Sequence, residues 1–332
     1  MLTDVFPVRY AVASSAAYHL AARRCDPDLR RRGLALRIKA TEALRFRLKQ
    51  DEQATDFGSL MATLMLAQLD ICVDDPGEFE IHLKAARDIV NIRGSDGTED
   101  SFVEQRLLWL DIMGSTTSRR PPALSARSLR TTIDRLRSAP HGRSWRDDCF
   151  PCPLELLHII VEGTLLYKAR RESEKPDLDI VAQASKLVDD AKSLVVLLGE
   201  AVNQPRSRLE LAYGYAVILY ISAAFRLEGY CGSEARTMAQ KIVQHGRAMP
   251  SATAWSYSMS WPLYQAGLYL DRECLPEREW LAKHFKSTLS ENGCCQVSRA
   301  LQILQAIWGN EQNGFVWDSI EAGSRKNYLL LV

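Results

Sequence analysis

The sequence predicts an all-α fold, stacked antiparallel helical hairpins with about a dozen helices in one large domain over residues 1–332. Three observations carry that expectation. Apolar residues recur every three to four positions along most of the chain, the period of a helix with one buried face. Alternating strand-like runs bounded by turn residues are missing, and β-branched clusters are short. Helix start and stop signals, such as Asp75-Pro76 and Arg93-Gly94, punctuate the periodic stretches.

The elements follow in order. A first helix is expected over about Val5 to Arg24, ended by Asp26-Pro27-Asp28. The next, about Asp28 to Lys49, sets Leu34, Leu36, Ile38, Leu44 and Leu48 among arginines. Residues 57–73 are apolar nearly all round, which predicts a central buried helix. Asp75 then offers an N-cap and Pro76 the first helical position of a helix running through His82, Ala85, Ala86 and Ile89 to Arg93. A further helix is expected from Phe102 to Met113. The stretch 115–148 is rich in Ser, Thr, Arg and Pro and reads as a long connection between an N-terminal and a C-terminal helical half. Helical patterns resume over Pro153–Arg171, Leu178–Leu198, Arg206–Glu228 and Ser233–His245. Trp255–Leu270, Pro276–Leu289 and Cys295–Trp308 complete the series.

Composition narrows the function classes. With 46% hydrophobic and 25% charged residues the chain has the make-up of a soluble globular protein. A formal net charge of +1 supplies no global field for nucleic acid or an anionic membrane. No uninterrupted apolar run reaches the roughly 18 to 20 residues that span a bilayer. The start, Met1 to Phe6, has an early acid and no basic flank, so no secretory signal is expected and the location is nucleus or cytoplasm. Eight cysteines are too few for a disulfide framework. Cys25, Cys72, Cys231 and Cys274 stand singly in helical patterns and are expected as small buried hydrophobes. Cys149-Phe-Pro-Cys152 has ligand spacing but lacks a second pair, so a structural role is expected there.

Four blocks together resemble the fungal-specific transcription factor domain, the large helical module usually found behind a zinc-cluster DNA-binding domain. They are Leu60–Asp70; Glu78–Arg87 leading to Ile92-Arg93-Gly94, with Ala85 where glycine is usual; Asp111–Pro122 with its Thr-Thr-Ser-Arg-Arg-Pro-Pro exit; and Ser260–Trp308, opening on Trp261-Pro262. They occur in family order from about residue 10 to residue 310. The resemblance implies a regulator of metabolism, secondary metabolism included, whose helical domain carries regulation, dimer contacts and effector binding. The family's DNA-reading part is a cluster of six cysteines around two zinc ions. Residues 1–50 hold one cysteine, Cys25, so direct nucleic-acid binding by a zinc cluster is not expected.

Other constellations are weaker. Residues 1–50 carry eleven Lys/Arg against four acids, but arginines at helical spacing beside leucines predict a solvated face. Glu155, His158 and Glu162 share one helical face at i, i+3 and i+7. A di-iron bundle needs a second Glu-x-x-His, which the sequence lacks, so no metal is expected. Glycine signatures for phosphate or dinucleotide and the Gly-x-Ser-x-Gly and His-Glu-x-x-His motifs are absent, so no cofactor is expected either. Tyr257, Trp261 and Tyr264 form one aromatic stripe, and Tyr213 with Tyr220 another. Two such stripes facing each other could line an apolar pocket with polar handles. The candidate lining is His158, Glu162, Tyr167, Tyr213, Trp255, Tyr257, Trp261 and Tyr264.

Two functional readings stand on this ground. The leading one is a regulator-like helical domain that binds an apolar small molecule or a partner protein, with a homodimer as one assembly and no membrane contact. The alternative is a cofactor-free cyclase or pericyclase on the same scaffold. Such an enzyme would act by holding reacting groups in near-attack geometry and donating a hydrogen bond to a carbonyl.

Overall fold

The computed structural model describes residues 6–93, 102–118, 120–138, 150–171, 178–199, 204–227, 232–250, 255–309 and 329–331. Among these residues every regular element is a helix. Contacts cluster into two compact units: Met1–Asp111 with Lys286–Arg299, and Ile112–Phe285 with Ala300–Val332.

The first unit begins with α1 (Phe6–Arg24) and α2 (Pro27–Arg47), a tightly packed hairpin. The reversal is set by Asp26, whose carboxylate accepts from the backbone N–H groups of Asp28 and Leu29 at 2.8 and 3.1 Å. Pro27 follows at the first helical position, where its missing N–H costs nothing. Short α3 (Asp51–Ala54) leads to α4 (Phe57–Val73), N-capped by Asp56 through Ser59 N at 2.7 Å. Ala11, Ala40, Ala62, Leu44, Leu66 and Leu69 close the core between α1, α2 and α4. α5 (Pro76–Arg93) packs back on α4, and Asp75 caps it as expected through Glu78 N at 3.3 Å. On α2 only Gly33, Ala40 and Leu44 are buried. Leu34 and Ile38, expected as apolar helix positions, are exposed.

A buried polar knot ties α2, α4 and α5 together. Asp70, fully buried, accepts from Arg37 at 2.6 Å on one oxygen and meets His82 Nδ1 at 2.6 Å on the other. Arg37 also donates to Asp75 at 2.8 Å. Burial pushes the Asp70 carboxyl up, while His82 and Arg37 pull it partly back. Burial also opposes the charge of Arg37, yet its bonds to Asp75 and Asp70 leave its pKa raised.

The second unit centres on α10 (Pro205–Phe225), fourteen of whose residues are buried around its circumference. It packs against α8 (Leu154–Arg171), α9 (Leu178–Gly199), α11 (Ser233–Arg247) and α13 (Ser260–Gly267). Gly214 permits the close approach of α9, since a Cβ there would lie 2.5 Å from Val195 Cγ2. α6 (Phe102–Thr116), α12 (Trp255–Ser258), α14 (Leu275–Asn292) and α15 (Cys295–Gly309) complete the order.

Within 115–148, read above as a connection, residues Ala126–Ser138 form α7. Ser125 starts it by accepting from Ser128 N at 3.1 Å, and Leu129, Ile133 and Leu136 are buried. The expected Trp255–Leu270 helix is two helices, α12 and α13, separated at Met259. Gly94, Cys149 and Cys231 lie outside the described residues.

Candidate functional site

The aromatic residues converge on Trp261. α13 is buried from Trp261 to Gly267, and Pro262 sits in its first turn, where a missing N–H is tolerated. Tyr213 and Tyr220 lie seven residues apart on α10, hence on one face. Tyr213 stacks on Trp261 at 5.6 Å between centroids and 19° between planes. Tyr220 meets the same indole edge-on at 6.0 Å and 66°. Such ring pairs contribute about 0.5–1.5 kcal/mol each beyond their buried area.

The polar ends of these rings are satisfied. Trp261 Nε1 donates to Thr116 Oγ1 at 2.9 Å, and the Thr116 hydroxyl donates to Met113 O at 2.7 Å. The Tyr213 hydroxyl donates to Ser258 O at 3.0 Å. Tyr220 and Thr164 share a hydroxyl–hydroxyl bond of 3.1 Å. Gln265 is different. It is fully buried, and among the described residues neither its amide oxygen nor its amide nitrogen has a hydrogen-bond partner. One helical turn after Trp261, it lies on the same face of α13. An unpaired buried polar group costs about 1–3 kcal/mol, so this amide needs an explanation. Ser222 Oγ on α10 is likewise buried without a hydrogen-bond partner among the described residues.

The expected lining separates into groups. Tyr213 and Trp261 join the cluster directly. Tyr264 is buried on α13, and burial alone pushes its hydroxyl well up. Tyr167 is buried on α8 and packs edge-on against Phe225 at 6.1 Å. Tyr257 sits on α12, is 41% exposed, and does not share the α13 stripe. Trp255 opens α12, and its side chain lies outside what the structure describes. Glu162 is held by Arg130 of α7 in a two-pronged ion pair at 2.6 and 2.7 Å, which keeps its carboxyl below the usual value. His158 Nδ1 is buried with no hydrogen-bond partner among the described residues. Sequence reasoning missed Thr116, Thr164, Ser258 and Gln265. Only Gln265 carried a signal, as the one polar residue in Trp261–Gly267.

His158 and His245 set a pH dependence. Burial is the main cause that lowers each imidazole below the ordinary 6.5; Arg137 adds to it at His158, and Arg208 with Lys241 at His245. The folded chain therefore binds fewer protons than the unfolded chain as pH falls below 6.5, so stability present above that value is lost on acidification. The urea midpoint at about pH 7.5 is expected to exceed that at about pH 5.5, and the His158→Gln/His245→Gln double variant to shrink the difference. An unchanged difference in the double variant would refute this assignment.

A family model described as the fungal specific transcription factor domain matches residues 1–331. No curated protein and no solved structure matches the chain.

Proposed function

From the premise that this chain belongs to the fungal specific transcription factor domain family, we propose a regulator-like role in which the second unit binds an apolar small molecule beside Trp261. The observation that carries the ligand reading is the Gln265 amide, buried without a hydrogen-bond partner among the described residues on the Trp261 face of α13. Aromatic walls with a few placed polar groups are what small-molecule sites are made of. An amide offers one acceptor and two donors, so its complement is a molecule with adjacent donor and acceptor, such as a lactam or a carboxamide on an apolar frame. Binding would convert an unpaired group into two bonds and stabilise the folded state by mass action.

The test is Gln265→Leu together with thermal shifts against a panel of hydrophobic lactams. Replacing a partnerless buried amide by an apolar isostere is expected to stabilise the protein by about 1–3 kcal/mol. Lactams that raise the wild-type melting temperature should leave this variant unmoved. A destabilised Gln265→Leu, or lactam shifts that survive it, would overturn the proposal.

A further inference from the structure

One side of α1 is spent on packing and the other stands in water. Pro7, Val8, Ala11, Ser14, Ala17 and Ala21 are buried, and the Ser14 hydroxyl donates to Gly33 O of α2 at 2.7 Å. The turn between α14 and α15 covers one flank: a Cβ on Gly293 would lie 2.5 Å from Ala22 Cβ, and the ring of His19 bonds Asn292 O. On the remaining side Arg9, Val12, Ala13, Ala16, Leu20 and Arg23 recur at three- and four-residue steps, which puts them on one stripe along the helix. All six are exposed. Val12 is 49% and Leu20 39% exposed, and Phe6 prolongs the stripe at 61%.

The charges on this stripe have one sign. No residue of α1 is acidic. Arg9 and Arg23 bracket the apolar middle fourteen residues apart, about 21 Å along a helix. Arg24 adds a second cation at the C-terminal end. Among the described residues none of these three arginines has an ion pair. A single exposed leucine is ordinary, but an apolar strip rimmed by charge is how interaction sites are built. Ala13 and Ala16 keep the middle of the strip low, so the axis of a second helix can come close.

We propose that the outer face of α1 receives an amphipathic helix of a partner protein, apolar along its middle and acidic at both ends. Charge decides between the occupants. A second copy laid on this face would set Arg9 against Arg9 and Arg23 against Arg23 if parallel, and Arg9 against Arg23 if antiparallel, so either orientation repels. A helix lying on a membrane needs a wide apolar face with its cations gathered on the opposite side. Here the opposite side is the core, and the arginines share the apolar stripe. An acidic-ended helix meets both features at once. Its apolar residues cover Val12 and Leu20, and carboxylates about 21 Å apart reach Arg9 and Arg23. The face belongs to the first unit, and this reading is independent of the ligand beside Trp261.

The test uses the full chain and a fluorescein-labelled helical peptide of about twenty residues, with Leu and Ala along one face and a Glu pair at each end of it. Its anisotropy should rise saturably with the protein, and the affinity should fall about tenfold between about 50 and about 300 mM salt. Arg9→Glu/Arg23→Glu should weaken binding by about tenfold or more. A peptide with Lys in place of each Glu should bind that double variant and not the parent, an exchange of partners that misfolding cannot produce. Ala16→Gln should weaken the original peptide with every charge kept. No saturable rise, or equal binding by the double variant, would overturn the proposal. So would co-sedimentation with phosphatidylserine vesicles, or a dimer in the ultracentrifuge, that the double variant abolishes.

Discussion

Asp70→Ala is expected to lower the stability of the first unit by about 3–5 kcal/mol. Both carboxylate oxygens are in use, one on Arg37 and one on His82, and the side chain is wholly out of water. Removing it leaves the imidazole of His82, 7% exposed, without its acceptor, and leaves Arg37 with Asp75 as its carboxylate partner. The loss comes mainly from stranding groups that remain buried, not from the bond energy itself. Asp70→Asn keeps the shape and an acceptor oxygen, so a smaller cost of about 1–3 kcal/mol is expected. Urea unfolding followed by circular dichroism measures both, and hydrogen exchange should rise first in peptides from α2, α4 and α5. A loss under about 1 kcal/mol for the alanine variant would show that the knot contributes little.

Helix positions were legible because their signals are local. Asp75-Pro76 starts its helix where expected, and the helices expected from about Asp28 and from residue 57 begin at Pro27 and Phe57. α7 was not read, although Leu129, Ile133 and Leu136 repeat at i, i+4 and i+7 behind a capping Ser125. The Pro- and Arg-rich residues around that helix outweighed three apolar positions. That omission had a consequence at the site. Arg130, the partner of Glu162, lies on α7, so the face shared by His158 and Glu162 was assigned to a pocket lining when Glu162 pairs with α7. On α2, periodicity identified a helix without fixing which apolar residues face inward, and Leu34 and Ile38 face out.

The cluster itself was half legible for a related reason. Tyr213 and Tyr220 share a face by helical arithmetic, and Trp261 meets both. Tyr257 was placed on the Trp261 stripe by the same arithmetic, but the helix breaks at Met259 and the phase is lost. Thr116 reaches Trp261 across 145 residues of sequence, a pairing that no local pattern encodes. Asp70 closes one family-like block and His82 lies within the next, and only the packing of α5 on α4 makes them partners.

Trp261→Ala is expected to cost about 3–5 kcal/mol, because it empties the space between Tyr213 and Tyr220 in a part of the core that cannot collapse freely. Trp261 is 1% exposed, and Tyr213 and Tyr220 are held by their own bonds to Ser258 and Thr164, so neither ring is free to fill the gap. Trp261→Phe keeps an aromatic ring between the tyrosines and loses the bond to Thr116, for about 1 kcal/mol from that bond. Thr116 retains its bond to Met113 O in both variants. Denaturant titration should therefore rank alanine well below phenylalanine, and near-equal losses would mean that the indole N–H, not the ring, holds the cluster. Set beside Gln265→Leu, these variants separate packing from binding. The leucine variant should gain stability and lose the lactam shift, whereas Trp261→Ala should lose both stability and the shift. If Gln265→Leu instead destabilised the fold while Trp261→Ala behaved as stated, the Trp261 cluster would stand as core and the ligand reading would fall.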